Sequence, residues 1–123
     1  MRFLSMIRVD ETTGQQPTEK LMNDMGKLMD EMIRDGTLIS TQGLLPTAQG
    51  MRVRLRRGQV SMTEGPFTET KEVIGGYALF EARDLAEAVK HTRRFLDVHG
   101  DEWDIECEVR PLAGPEMGCG RSL

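Results

Sequence analysis

Two segments of this chain carry apolar side chains on both faces of a β-strand, and this feature constrains the fold most strongly. In residues 2–9, RFLSMIRV, Phe3 and Leu4 begin apolar rows on opposite faces. Residues 73–82, VIGGYALFEA, repeat the pattern over 77–80. A strand of this kind is covered on both sides in a folded domain. The sheet that holds these two strands must therefore be buried on each face.

Two amphipathic helices are predicted between the strands. The first covers about residues 18–35, with Thr18 as its candidate N-cap and Gly36 after its last turn. Its apolar stripe recurs at helical spacing at Leu21, Met25, Leu28 and Met32. The second covers about 84–97, and Asp84 with a glutamate three residues later resembles a capping box. We expect its inner stripe to consist of Leu85, Ala88, Val89, Thr92 and Leu96.

Four further strand segments complete the pattern. Residues 37–45 and 103–110 are predicted strands, and 51–62 alternates apolar residues with arginines on either side of an Arg57-Gly58 turn, which predicts a β-hairpin. The order is then strand, helix, strand, hairpin, strand, helix, strand. Without the hairpin this is the ferredoxin-like βαββαβ arrangement, an α+β fold.

The composition indicates one globular domain. Of the 123 residues, 38% are hydrophobic and 29% charged, so we expect a domain over 1–112 and a flexible tail over 113–123. The net charge of −4 offers nucleic acid no positive field. No run approaches the roughly 20 apolar residues of a membrane helix, and charged residues interrupt the N-terminus. We therefore expect a cytoplasmic protein that binds neither nucleic acid nor membrane.

The sequence offers little for metal or nucleophile chemistry. Cys107 and Cys119 are far apart, and His91 and His99 are expected to be solvated. These residues are too few and too scattered for a zinc site. No phosphate loop or Ser-His-Asp pattern is present. We expect neither a metal nor a cofactor.

The predicted topology leaves one face of the sheet without helices. Both helices of a βαββαβ domain lie on the same face, yet the two central strands are apolar on both. An exposed apolar sheet of this size would be an association site. The simplest cover is the same face of a second copy, which gives an isologous homodimer. A loop or the C-terminal tail is the alternative cover.

Residues 64–72, EGPFTETKE, admit two interpretations. In the structural one, Gly65-Pro66 forms a turn, Phe67 fills the core and the polar residues face water. In the functional one, polar side chains converge on a pocket between the sheet and its partner, where a carboxylate can act as a general base. The polar residues concerned are Glu64, Thr70, Lys71 and Glu72.

Tyr77 and two rows of charge also invite interpretation. Tyr77 follows Gly75-Gly76, which lets other groups approach closely, so it faces either a ligand or the core rim. An acidic row on the last strand is a guarded edge, a wall of the dimer cleft, or a partner for the arginine row. The acidic row is Asp104, Glu106 and Glu108, and the arginine row is Arg52, Arg54 and Arg56.

The run EGPFTETKEVIGGYALFEARDLAEAV, residues 64–89, resembles the signature of the YCII-related family and specifically of its DGPF subgroup. The matching elements are Gly65-Pro66-Phe67, Thr70-Lys71-Glu72 and Gly75-Gly76-Tyr77. Residues 43–54 and 108–112 are also similar to that family. Glu64 stands where the subgroup has aspartate. The first helix contains no histidine, so the family's proposed catalytic His/Asp pair is not carried over.

The resemblance implies a dimeric α+β barrel built on the ferredoxin-like fold. We expect a homodimer that binds a small molecule in the cleft between sheets, through Glu64, Phe67, Thr70, Lys71 and Tyr77. One alternative is an enzyme that performs acid–base chemistry on a small aromatic or lactone-like compound, with Glu64, Lys71 and Tyr77 as catalytic candidates. Another is an accessory protein of a sigma factor, since many subgroup members are encoded near extracytoplasmic-function sigma factors.

Overall fold

A computed structural model describes residues 1–67 and 72–114. They form a four-stranded antiparallel sheet, two helices and a separate two-stranded hairpin. The sheet order is β2-β5-β1-β6. This arrangement confirms the predicted α+β fold, a βαββαβ order with an inserted hairpin. In chain order the elements are β1 (Arg2–Val9), α1 (Glu19–Arg34), β2 (Leu38–Gly43), β3 (Met51–Arg56), β4 (Gln59–Glu64), β5 (Val73–Glu81), α2 (Leu85–His99) and β6 (Glu106–Pro111).

The core lies between one face of the sheet and the two helices. Phe3 and Phe80 are neighbours across β1 and β5 and are almost fully buried. The Phe80 ring meets the Phe95 ring of α2 edge-on, with centroids 5.5 Å apart. Met32 of α1 fills the same cluster and has no exposed surface. Alternate residues of the central strands thus supply the core, as the period-two pattern requires.

Both helices begin at the predicted N-cap residues. The Thr18 hydroxyl accepts a hydrogen bond from the Leu21 amide at 3.0 Å. The Asp84 carboxylate accepts one from the Glu87 amide at 2.9 Å. The Glu87 carboxylate accepts one from the Arg83 amide rather than from Asp84, so this cap is a variant of the capping box.

Asp84→Ala is expected to lower the free energy of unfolding by about 1 kcal/mol, because the first-turn amide of α2 loses its acceptor. Urea denaturation monitored by circular dichroism measures this. Asp97→Ala, an exposed position in the same helix, is the control and should cause no loss. Equal effects at the two positions would contradict the capping role.

The buried stripe of α2 differs from the predicted one. Ala88, Thr92 and Phe95 are buried, whereas Leu85 and Val89 are 51% and 46% exposed. The helix meets the sheet along a line of residues spaced four and three apart, and Leu85 and Val89 lie at its flank. The predicted stripe shares Ala88 and Thr92 with the observed one but contains Leu96 in place of Phe95.

His91 is not solvated, and the expectation that it faces water is wrong. Its side chain is only 16% exposed, and its ring lies 5.6 Å from the ring of Phe80. Burial lowers the pKa of the imidazole, while Glu87 partly offsets this effect and Arg94 adds to it. The residue lies beside the buried line of α2, so its ring is directed at the core.

This burial predicts a pH dependence of stability. The His91 pKa in the folded chain lies below its ordinary value of 6.5. At lower pH the unfolded chain therefore takes up a proton first, and stability is lost as pH falls through the folded-state pKa. We expect His91→Gln to show a smaller decline in the free energy of unfolding between about pH 7.5 and about pH 5.5 than wild type. Urea denaturation measures both proteins, and an equal decline in the free energy of unfolding of wild type and His91→Gln would contradict this role of His91.

The last strand begins at Glu106, later than predicted. Arg8 of β1 pairs with Glu106, and β1 ends at Val9, so no residue of that strand remains to pair with Trp103. The Trp103 ring instead packs edge-on against His99 at 5.7 Å between centroids. Of the predicted tail, residues 115–123 lie outside the described part of the chain.

The helix-free face of the sheet has an apolar centre and a polar margin. Leu4 and Met6 of β1 pair with Leu79 and Tyr77 of β5, and these four side chains are half-buried. The margin on the β6 side consists of Glu106, Glu108 and Arg110. An apolar second face was predicted, and it is narrower than the sequence suggested.

The hairpin β3–β4 has an exposed apolar face. Its turn has positive φ at Arg57 (50°) and Gly58 (78°), the type I′ geometry that suits a two-residue loop. One face presents five apolar side chains that are 49–72% exposed: Met51, Val53, Leu55, Val60 and Met62. The other face carries the arginine row. Glu106 and Glu108 of the acidic row lie in the other sheet and Asp104 precedes that strand, so the two rows are not cross-strand neighbours.

Candidate functional site

The Gly65-Pro66-Phe67 turn is stacked on the turn that follows β2. The Gly65 amide donates a hydrogen bond to the Gly50 carbonyl at 3.1 Å. A Cβ atom at position 65 would lie 1.6 Å from the Thr47 carbonyl oxygen. The Phe67 amide donates to the Thr47 hydroxyl at 3.1 Å. Glycine is therefore required at position 65 because another backbone segment occupies the space of a side chain.

Glu11 holds Thr47 from the opposite side. Its carboxylate accepts hydrogen bonds from the Thr47 amide at 3.0 Å and from the Thr47 hydroxyl. The hydroxyl thus donates to Glu11 and accepts from the Phe67 amide. This chain joins three loops that are distant in sequence, so the turn at 65–67 has a structural role, as the first interpretation of this stretch proposed.

Phe67 does not fill the core, and that part of the structural interpretation is wrong. Its side chain is half-buried and lines a cavity of about 710 Å³ between the hairpin base and the ends of β1, β2 and β5. We call this the Phe67 cavity. The Arg52 guanidinium lies over the Phe67 ring, 3.9 Å from its centroid. This is a cation–π contact at the wall of the cavity.

The remaining walls of the Phe67 cavity are mainly apolar. Leu44, Leu45 and Ile74 line it and are 53%, 73% and 52% exposed. Arg8 lines it as well, and its guanidinium lies 3.7 Å from the Glu108 carboxylate. Among the described residues that line the cavity, Arg8 and Arg52 are cationic and Glu72 is the one carboxylate. The arrangement suits a molecule that is apolar at one end and anionic at the other.

An adjacent cavity of about 880 Å³ has the opposite charge. It shares Leu44, Leu45 and Ile74 with the Phe67 cavity, and its lining as described contains no lysine or arginine. Six carboxylates line it: Asp10, Glu11, Glu72, Glu102, Asp104 and Glu106. Both carboxylate oxygens of Glu11 accept hydrogen bonds from Thr47. Asp104 and Glu106 of the predicted acidic row therefore border this cavity, whereas Glu108 does not line it.

The structure separates the residues that were predicted to form one site. Phe67 lines its cavity, whereas Glu64 is exposed at the end of β4 and lines neither cavity. Tyr77 lies on the helix-free face of the sheet, where its hydroxyl is 3.1 Å from the Ser40 hydroxyl. Thr70 and Lys71 lie outside the described residues. The roles assigned to these residues stay predictions.

The glycines before Tyr77 admit the protein's own backbone and side chains. A Cβ atom at Gly76 would lie 2.9 Å from the Gln42 carbonyl oxygen. One at Gly75 would lie 2.8 Å from a methyl carbon of Val9. These glycines permit close packing at the point where β5 meets its neighbours, so close approach by a ligand is not needed to explain them.

The sequence analysis missed Arg8 and Arg52 as cavity residues and Glu11 and Thr47 as its support. The arginines fall in alternating strand patterns, in which an outward arginine is ordinarily a solvated residue. Glu11 and Thr47 lie in loops without periodicity, where no pattern marks a residue. The Gly65-Pro66-Phe67 run was the one signal that located this region.

Comparison with known proteins agrees with the fold. Residues 1–97 match the YCII-related domain. An uncharacterized protein from Rhizobium meliloti (strain 1021) is 29% identical over 105 residues, which cover 85% of this chain and 83% of that protein. Within residues 1–67 and 72–114, no helix has the length and apolar composition to cross a membrane, and no three His, Cys, Asp or Glu side chains are grouped for a metal ion. The chain belongs to the YCII-related family.

Proposed function

We propose that this protein binds a small planar molecule with an anionic group in the Phe67 cavity. The observation that carries the proposal is the Arg52 guanidinium placed over the Phe67 ring, at the wall of a cavity of about 710 Å³. A stacked guanidinium and an aromatic ring present a cation and a flat apolar surface side by side. A planar carboxylate has the complementary chemistry.

The exposure of the apolar walls supports binding at this place. Leu44, Leu45 and Ile74 are each more than half exposed around one concavity. Covering them removes apolar surface from water, which contributes about 25 cal/mol per Å². Small-molecule sites are typically concave, apolar and equipped with a few polar groups. The Phe67 cavity has this composition.

The two arginines supply the polar recognition. Arg8 and Arg52 approach the cavity from β1 and β3. Guanidinium groups bind carboxylates through paired hydrogen bonds, which are stronger than those between neutral groups. Rigid support comes from the Glu11–Thr47–Phe67 chain of hydrogen bonds. These hydrogen bonds hold the backbone of Phe67 in place, and a binding group that is held before a ligand arrives loses less entropy on binding.

We also propose that the chain belongs to the DGPF subgroup and forms a homodimer through the helix-free face. The Gly65-Pro66-Phe67 run and the Gly75-Gly76-Tyr77 run support the subgroup. The apolar centre formed by Leu4, Met6, Tyr77 and Leu79 supports the dimer, since a second copy is the simplest cover for such a face.

Isothermal titration calorimetry tests the binding proposal. The ligands are benzoate, salicylate and phenylacetate, each compared with its neutral amide. At least one carboxylate should bind, and its amide should bind more weakly. Arg52→Gln should weaken the carboxylate by roughly tenfold or more, because a charged hydrogen bond is lost. Phe67→Leu should weaken both members of the pair, because each loses the flat aromatic surface.

Arg54→Gln is the matched control, since Arg54 lies two residues along the same strand face and does not line the cavity. Its affinity should match that of wild type. An equal loss in Arg54→Gln and Arg52→Gln would assign the effect to general charge and contradict the site. If none of the three carboxylates and three amides binds saturably, the proposed ligand class is wrong.

A further inference from the structure

Arg8 lies between the Phe67 cavity and the last strand of the sheet. It lines the cavity, and its strand partner on β5 is Ile74, which forms part of the cavity wall. On the other side of β1, Met6 stands opposite Glu108 of β6. Opposite residues of neighbouring strands, and residues two apart on one strand, point to the same face of a sheet. The Arg8 side chain therefore has an anionic neighbour on β6 and a ligand cavity on its other side.

Glu108 is the partner that Arg8 has in the structure. The guanidinium and the carboxylate are 3.7 Å apart, and the two side chains are 39% and 44% exposed. The second oxygen of Glu108 lies 3.8 Å from the Arg110 guanidinium, so this carboxylate is held between two arginines. Glu108 is not among the described residues that line the Phe67 cavity. Its attraction for Arg8 is therefore directed away from the cavity, toward β6.

The two arginines of the cavity differ in where their charge is directed. The Arg52 guanidinium lies over the Phe67 ring at the cavity wall, 3.9 Å from the ring centroid, where a flat ligand would stack. The Arg8 guanidinium is engaged by a carboxylate of the chain itself. A ligand with one carboxylate can be bound through Arg52. A second ligand carboxylate needs Arg8 and has to compete with Glu108 for it.

We propose that Glu108 sets the number of carboxylates that the Phe67 cavity accepts, and that the ligand is an aromatic monocarboxylate. Glu108 acts through Arg8 and does not touch the ligand, so it is a positioning residue. The inference rests on the proposed function and narrows its ligand class from planar anions to those with one acidic group. A half-exposed ion pair changes an affinity by about two- to fivefold, so Glu108 creates a preference of that size.

Isothermal titration calorimetry tests the preference with benzoate, salicylate and phenylacetate and with two dicarboxylates, isophthalate and terephthalate, whose second carboxylates lie at different distances from the first. The tightest of the three monocarboxylates should bind wild type at least as tightly as either dicarboxylate. In Glu108→Gln, at least one dicarboxylate should bind about fivefold more tightly than it binds wild type, because Arg8 then donates a charged hydrogen bond to the ligand. The monocarboxylates should change by about twofold or less.

Further variants show whether Glu108 acts through its charge and through Arg8. Glu108→Asp keeps a carboxylate at this position and should keep the wild-type preference. In an Arg8→Gln background, Glu108→Gln should bring no gain in dicarboxylate affinity, because the group that receives the second carboxylate is gone. Asp97→Asn removes an exposed carboxylate of α2, so it is the matched control for net charge and should bind all five ligands as wild type does. Circular dichroism establishes that each variant is folded.

The outcomes separate the role of Glu108 from the cavity proposal itself. If a monocarboxylate binds wild type and Glu108→Gln leaves both dicarboxylate affinities unchanged, the role of Glu108 is wrong and the Phe67 cavity stands. An equal gain in Asp97→Asn, in Glu108→Asp or in the absence of Arg8 would also overturn this role. A dicarboxylate that binds wild type more tightly than every monocarboxylate would overturn the ligand class inferred here. If no monocarboxylate binds wild type, the proposed function fails, and this inference fails with it.

Discussion

Gly65→Ala is expected to lower the free energy of unfolding by about 3–5 kcal/mol, although it adds only a single methyl group. The added carbon would lie 1.6 Å from the Thr47 carbonyl oxygen. The obstacle is backbone, so no side-chain rotation relieves it. The two turns must separate, which breaks the hydrogen bonds from the Gly65 amide to Gly50 and from the Phe67 amide to Thr47.

Urea denaturation measures this loss, and Gly26→Ala provides the matched control. Nothing lies within 4 Å of a Cβ atom at Gly26, which is inside α1. There alanine should stabilise the helix by up to about 1 kcal/mol. A Gly65→Ala protein as stable as wild type would show that the two turns are not in contact as described.

Phe80→Ala is expected to lower the free energy of unfolding by about 3–5 kcal/mol. The Phe80 side chain is fully buried and contacts the rings of Phe95 and His91. Its removal leaves a cavity in the cluster that joins both helices to the sheet. Leu45→Ala, at a leucine that is 73% exposed, is the control and should change stability little.

The same substitution offers a second readout at His91. Water entering the space left by Phe80 should reduce the desolvation that lowers the His91 pKa. A nuclear magnetic resonance titration of the imidazole should therefore show the His91 pKa moving upward, toward its ordinary value, in Phe80→Ala. An unchanged stability with an unchanged His91 pKa would contradict the packing described for this cluster.

The strands and helices were predictable because their signals are local. The alternation in 2–9 and 73–82 marked these segments as strands with apolar residues on both faces, and Thr18 and Asp84 marked where the helices begin. The start of β6 was not predictable, because it depends on where its neighbour β1 ends at Val9. The prediction that His91 is solvated failed for a related reason, because packing sets which face of α2 meets the sheet.

The site was less predictable because three distant loops build it. Glu11, Thr47 and Phe67 meet only in the folded chain, and no spacing in the sequence relates them. The sequence singled out the Gly65-Pro66-Phe67 turn, but the role of Phe67 in binding a ligand stays a prediction. It treated Arg52 as part of a solvated row, since the ring that the guanidinium covers lies fifteen positions away.

A crystal structure of the protein with its tightest-binding aromatic carboxylate tests the central claim most directly. The account predicts the ring of the ligand against Phe67 and Leu45, with its carboxylate within hydrogen-bonding distance of the Arg8 or Arg52 guanidinium. Ligand found in the adjacent acidic cavity, or on the sheet face around Tyr77, with the Phe67 cavity empty, would contradict it.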